Sequence, residues 1–258
     1  MNEAKNGKPL ETGVDNRFFT PTAQWLQSVE ALRARERRLA ALIARGEGQE
    51  QLLRLLLAGD EASRARDLRE RARVLRYLRN GAPLPRSPDD LLRLWNAATL
   101  ADTRVYDTLP AHFRQEGEHI PFTGLQAGGL PAPPHGRETV PPGAIPQEIR
   151  NLLCWIQSET APEIKAVSTY FLFGRIHPFC DGNGRTLRML VCGLLSGSYS
   201  EPTLLSFLER LQKNRLLLAE AESRTNGERE DLSGFGCLLL RILGMAQNRL
   251  EIILRNET

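Results

Sequence analysis

Two apolar runs, AVSTYFLFGRI over 166–176 and TLRMLVCGLL over 186–195, are separated by HPFCDGNGR at 177–185. No other feature constrains the fold as much. Proline cannot donate to a helical ladder, and glycine weakens both helices and strands. The upstream run continues a helical spacing set by Ile164, Val167, Tyr170 and Phe171, which buries one face, and the downstream run is apolar enough to be a buried helix. The chain must therefore build two helices and turn sharply between them, with His177 ending one helix and Gly182, Asn183 and Gly184 opening the next.

The remaining pattern is also helical. Residues 1–17 are small, polar and without period, and read as a disordered N-terminus. Helical sequence begins at TPTAQWLQSVEAL, where Thr20 is suited to cap and Pro21 to open the first turn. An N-terminal helical region spans 18–108, with breaks near Gly46, Gly48 and Gly59 and a new helix capped by Ser87. Residues 110–146 are dense in Pro and Gly, with room for a β-hairpin starting around 113–120. Helices resume at IPQEIRNLLCWI, then after a capping box of Thr160 and Glu163, and finish as two helices over roughly 202–222 and 231–254. The fold class is all-α with one small β element, and 109–258 forms the core domain.

With 258 residues and 41% hydrophobic content, the chain can bury a sizeable core. A net charge of +3 forces neither a nucleic-acid nor a membrane reading. The arginine-rich run SRARDLRERARVLR reads as a solvated helix face with pairs such as Asp67–Arg71, rather than as a nucleic-acid contact. Cys154, Cys180, Cys192 and Cys237 form no CxxC pair and fit buried thiols in a reducing compartment. The N-terminus has no h-region, and no apolar run reaches membrane-spanning length, so a soluble protein without a cleaved signal peptide is expected. His112, His119 and His135 lack metal-ligand spacing and are expected to be exposed.

The chemistry is concentrated in the break. Glycines at a helix N-terminus let unpaired N–H groups converge at the positive end of the dipole, which makes an anion site. Arg185 and Arg188 share a helix face and can flank a polyphosphate. Asp181 can hold a Mg²⁺ that bridges phosphates. His177 is the group in the stretch able to exchange a proton near neutral pH. Phe179 carries no such chemistry and anchors the loop in the core.

The stretch HPFCDGNGRTLR resembles the signature of the Fic family, His-x-Phe-x-Asp/Glu-Gly-Asn-Gly-Arg-x-x-Arg, with every fixed position filled. The likeness extends over roughly 110–245, through IPQEIRNLLCWI before the motif and LLSFLERLQKNRLLL after it. The resemblance implies a Fic-type helical bundle with a β-hairpin flap and an N-terminal helical extension. It implies a protein adenylyltransferase that moves AMP from ATP-Mg²⁺ to a Ser, Thr or Tyr hydroxyl, with self-modification among its targets. Carried over by position, His177 deprotonates the hydroxyl, Asp181 holds Mg²⁺, Gly182, Asn183 and Gly184 cradle the phosphates with Asn183 at the α-phosphate, and Arg185 and Arg188 bind the β- and γ-phosphates. A target protein would dock by strand addition to the flap, about 112–141, with AHFRQEGEHI as its first strand.

The same resemblance implies a bacterial protein, cytoplasmic or delivered to a host cytosol. It leaves open transfer of UMP or phosphocholine, and a nucleotide-binding regulator or adaptor of low activity. Many Fic proteins are restrained by a Ser/Thr-x-x-x-Glu-Gly/Asn helix whose glutamate pairs with the second motif arginine, here Arg188. No segment satisfies this pattern in full. The nearest is IARGEG, where Glu47 precedes Gly48 but Ile43 replaces the hydroxyl residue. Control by a separate inhibitory partner, or by none, is the expectation favoured over Glu47.

Overall fold

The computed structural model describes residues 22–44, 48–59, 64–100, 112–118, 139–225 and 232–256. Ten α-helices lie among them: α1 Ala23–Ile43, α2 Gly48–Ala58, α3 Ala65–Arg79, α4 Pro88–Thr99, α5 Ile145–Ile156, α6 Pro162–Ile176, α7 Asn183–Leu195, α8 Glu201–Lys213, α9 Arg215–Thr225 and α10 Ser233–Asn256. No strand occurs among the described residues. The expected hairpin falls mainly on 119–138, outside them, and its flanks at 112–118 and 139–141 are irregular. No described helix is long and apolar enough to cross a membrane.

The expected breaks separate α1, α2 and α3, and Ser87 caps α4 through a reciprocal box with Asp90. Other boundaries differ from the sequence reading. Thr22, not Thr20, caps α1 by accepting from the Trp25 N–H. The Thr160–Glu163 box does not form: Ala161 is the N-cap, and Glu163 is buried. Its carboxylate instead takes a forked pair from Arg33 at 2.8 and 2.6 Å and the Tyr199 hydroxyl at 2.9 Å. A buried carboxylate gains more from a guanidinium and a phenol than from closing its own helix turn. The helix expected over 202–222 splits at Asn214, whose backbone and side-chain N–H groups both donate to the Arg210 carbonyl.

At the centre, α6 packs on α7 and α8 on α10, with α3 and α4 laid against α7. One continuous apolar core runs from Trp25, Leu39 and Leu52 near the N-terminus to Phe207, Phe235 and Leu250. The N-terminal helices are thus part of the same body as the motif: α1 lies on α10, and α2 and α3 on α8. Glu36 of α1 supplies the cap that α8 lacks, accepting from the Ser200 N–H at 2.8 Å and hydroxyl at 2.6 Å, and from the Thr203 hydroxyl at 2.9 Å.

Two surface expectations are corrected. Arg71 is not part of a solvated face. It is 1% exposed and donates to the Leu56 carbonyl at 2.9 Å and to Gln212 at 3.2 Å, beside Glu209 at 3.6 Å. Helix α3 packs on four neighbours, α2, α4, α7 and α8, so a larger arc of it is buried than charge patterning suggests. Of the four thiols only Cys192 is buried; Cys154 and Cys237 are exposed.

Candidate active site

The site is built at the junction of α6 and α7. Helix α6 ends at His177 in the left-handed region, φ 47° and ψ 60°, with its N–H donating to the Phe173 carbonyl. Few non-glycine residues adopt this conformation, and it lets the chain reverse before Pro178. Phe179 then turns inward, 1% exposed, with its ring 5.4 Å from Trp95, 5.6 Å from Phe113 and 6.4 Å from Phe173. It is the expected anchor.

Asn183 closes the loop from the other side. Its amide donates to the Phe179 carbonyl at 2.6 Å and accepts the Phe179 N–H at 3.0 Å. The side chain expected at an α-phosphate is thus committed to the loop, and what Asn183 offers a ligand is its backbone N–H. Gly182 precedes α7 with no side-chain cap, and the first intrahelical bond into it is Thr186 N–H to the Gly182 carbonyl. The N–H groups of Asn183, Gly184 and Arg185 therefore lie in the uncapped first turn of a 13-residue helix, with Gly184 exposed.

Asp181 is one-third exposed, and its Oδ2 accepts from Arg185 Nη2 at 2.9 Å. The Trp95 indole N–H holds the Asp181 carbonyl at 2.8 Å, so α4 fixes the loop's height above α7. No cluster of three or more His, Cys, Asp or Glu suited to a metal occurs among the described residues. A single partly exposed carboxylate at an anion-binding helix end fits Mg²⁺ that arrives with phosphates and keeps its waters, not a protein-caged ion. Cys180, in a variable motif position, donates to Glu118 Oε2 at 3.4 Å; burial and Glu118 push the thiol up to about 11. His112, expected to be exposed, is half-buried and pairs with Glu118 Oε1 at 2.8 Å. His119 and His135 lie outside the described residues.

Arg188 carries the largest surprise. Its Nε and Nη2 form a fork on Glu70 of α3, at 2.7 and 3.0 Å. Gln212 Nε2 donates to the same carboxylate at 3.1 Å and to the Asp67 carbonyl at 3.2 Å. Burial alone would lower the Arg188 pKa, but Glu70 more than offsets it and raises the pKa above the ordinary arginine value. Glu47 lies outside the described residues, and the carboxylate seated on Arg188 is Glu70. Sequence reasoning missed Glu70 because Arg66 and Arg71 stand where the pattern asks for Ser/Thr and Gly/Asn. A signal did exist: Glu70 sits four and eight residues before Val74 and Leu78, on the apolar stripe, where a solvated acid does not belong. For Trp95 and Arg114, both of which hold the loop, the sequence offers no comparable mark.

A helical bundle here brings a histidine, an uncapped helix N-terminus and two arginines to one helix–loop–helix junction, groups whose chemistry suits phosphate. Residues 89–195, which contain that junction, match the family model described as the Fic/DOC family. A relative from Aquifex aeolicus (strain VF5), named "Probable protein adenylyltransferase", is 39% identical over 57 residues, which is 21% of this chain and 18% of that protein. The matched stretch thus spans under a fifth of the relative's length. A crystal structure of a Fic family protein from Desulfovibrio desulfuricans G20 superposes with a TM-score of 0.54 at 17% identity, over 92% of this chain and 67% of that chain. It shares the fold well beyond the motif.

Proposed function

We propose that this protein is a protein adenylyltransferase that transfers AMP from ATP to a Ser, Thr or Tyr hydroxyl of a target protein and is restrained by its own Glu70. The observation that carries the reading is the convergence of the motif residues on the uncapped start of α7. The name of the Aquifex aeolicus relative gives independent support for adenylyl transfer.

In this reading the first-turn N–H groups of α7 cradle the phosphates, and Arg185 and Arg188 draw the β- and γ-phosphates to one side. The His177 imidazole takes the proton of the attacking hydroxyl. Its oxygen bonds to the α-phosphorus, the bond from that phosphorus to the bridging oxygen breaks, and pyrophosphate leaves. Asp181 would hold Mg²⁺, which supplies charge neutralisation at the phosphates when bound. The 112–141 segment, anchored beside His177, offers backbone to the target. Glu70 restrains the reaction because it takes the two guanidinium N–H groups that a γ-phosphate would need.

The test is incubation of the purified chain and a lysate with ATP labelled at the α- or the γ-phosphate. Protein labelled from the α position alone, lost in His177→Ala with ATP affinity retained, is the expected result. Label from the γ position means phosphoryl transfer instead. Stronger labelling from UTP means a uridylyl donor, and no label from any nucleotide in either the wild type or Glu70→Gly favours a binding role.

A further inference from the structure

We propose that Arg114 is a positioning residue for His177: it holds the main chain in the conformation from which the histidine works and fixes both ends of the 112–141 segment to the motif. The functional half of this inference rests on the adenylyl-transfer reading; the positional half does not.

The argument starts from carbonyl oxygens. Where α6 ends, the chain must find partners for C=O groups that no later turn of helix can satisfy. Three are met from outside. The Arg175 carbonyl accepts the Val140 N–H at 3.2 Å, and the Pro178 carbonyl accepts the Arg114 N–H at 2.7 Å. The His177 carbonyl accepts Arg114 Nε at 3.4 Å. The same guanidinium reaches across with Nη2 to the Val140 carbonyl at 2.7 Å and the Thr139 hydroxyl at 3.4 Å. One side chain therefore joins the incoming flank at 112–118, the outgoing flank at 139–140 and the peptide on the C-terminal side of His177.

His177 needs such support. Its φ of 47° lies in the left-handed region that residues with a side chain adopt uncommonly, so contacts that hold the flanking peptides favour its persistence. Its N–H is held by Phe173 and its carbonyl by Arg114, so both peptides flanking the strained residue are fixed.

The environment of Arg114 argues that geometry is its purpose. It is 7% exposed, and the acceptors described for it are neutral oxygens, with no carboxylate among them. Among the described residues no ion pair accounts for burying this guanidinium, whereas its fixed fork of N–H donors suits several carbonyls in different directions. A lysine has a point charge on a flexible stem and cannot hold all of them. Glu118 adds a second tie from the same flank, since it accepts from the Gln115 N–H at 2.7 Å and from Cys180 of the motif.

The experiment uses the full chain with Arg114→Ala and Arg114→Lys. It measures transfer kinetics with α-labelled ATP, ATP affinity by calorimetry, Tm, and the rate of diethylpyrocarbonate modification at His177 read by mass spectrometry. The expected result is a fall in kcat of tenfold or more in both variants, with ATP affinity within twofold of wild type and a modification rate at His177 changed at least threefold. Failure of Lys to rescue separates positioning from charge. The Lys variant keeps bulk and charge, and decides the matter if the Ala variant does not fold. Unchanged kcat, or a loss of kcat matched by loss of ATP affinity, overturns the proposal. If neither the wild type nor Glu70→Gly transfers anything, the adenylyl reading fails, and the modification rate still decides: an unchanged rate at His177 in the folded variants overturns the placement too.

Discussion

At Gly182 the backbone runs through φ +84° directly beneath two side chains of α4. A Cβ there would lie 2.5 Å from Thr99 Cγ2 and 2.6 Å from the Trp95 indole nitrogen. Neither neighbour can retreat freely: Thr99 is 1% exposed, and Trp95 is held by its bond to the Asp181 carbonyl. Gly182→Ala therefore combines a left-handed alanine, costing about 1–2 kcal/mol, with a clash against packed groups of about 1–3 kcal/mol. A urea unfolding curve should show a loss in that combined range, about 2–5 kcal/mol, and nucleotide affinity should fall because Asp181 and the α7 N–H groups shift together. A loss below about 1 kcal/mol with full affinity would mean that α4 does not clamp the loop. The glycines and their conformational freedom are legible in the sequence, because only glycine fits such turns. The Asn183 side chain is not: a motif names a residue type, and only the fold shows that its amide is bonded to the Phe179 backbone.

Helix α3 shows how an element can hide a contact from sequence reading. Its apolar stripe is legible, as are its limits between two breaks, but the partner of a charge on that stripe lies 118 residues away in the case of Glu70 and Arg188. No local pattern encodes such a distance. The packing of α3 also bears on how the proposed Glu70 restraint would be lifted. Val74, Leu75, Tyr77 and Leu78 are all buried, and Gly193 of α7 lets the Tyr77 hydroxyl approach so closely that a Cβ there would lie 2.6 Å from it. Lifting α3 away would expose four such side chains at about 1.5–3 kcal/mol each, whereas turning Glu70 aside sacrifices one forked pair and the Gln212 bond. Under the proposed restraint, release would therefore be a side-chain event, with α3 staying in place. Glu70→Gly should raise transfer tenfold or more, equivalent to about 1.4 kcal/mol. Gln212→Ala should raise it by a smaller factor, since it loosens the carboxylate without removing it. Transfer assays on the two variants check this, with hydrogen exchange showing α3 equally protected in each. An unchanged rate in Glu70→Gly would remove Glu70 as the restraint.

Across the whole molecule, the amphipathic stripes make an all-helical bundle legible, and the resemblance locates its site, while the buried charges that lock the helices together went unread. Arg33 to Glu163, Arg71 to Glu209 and Glu36 to Ser200 each join segments far apart in the chain, and each acid taken singly looks like a surface residue. Glu209 is the node with the clearest consequence. Its side chain is fully buried on α8 and meets Lys213 at 2.8 Å, Arg249 of α10, and Arg71 of α3 at 3.6 Å. Burial pushes its carboxyl up, but the bonds from Lys213 and Arg249 and the charge of Arg71 outweigh it and hold the carboxyl below the ordinary value. A carboxyl depressed by folding adds stability above its unfolded pKa, about 4.3, and that stability drains away as pH falls through the lower folded value. Thermal unfolding should accordingly show Tm falling steeply below about pH 4.3 in the wild type. Glu209→Gln should be less stable at pH 7 by about 3–5 kcal/mol, because three cations lose their shared partner. It should also show a shallower acid limb, because the titrating group is gone. Parallel acid limbs for the two proteins would show that other carboxylates govern acid unfolding and that Glu209 is not the charge that joins α3, α8 and α10.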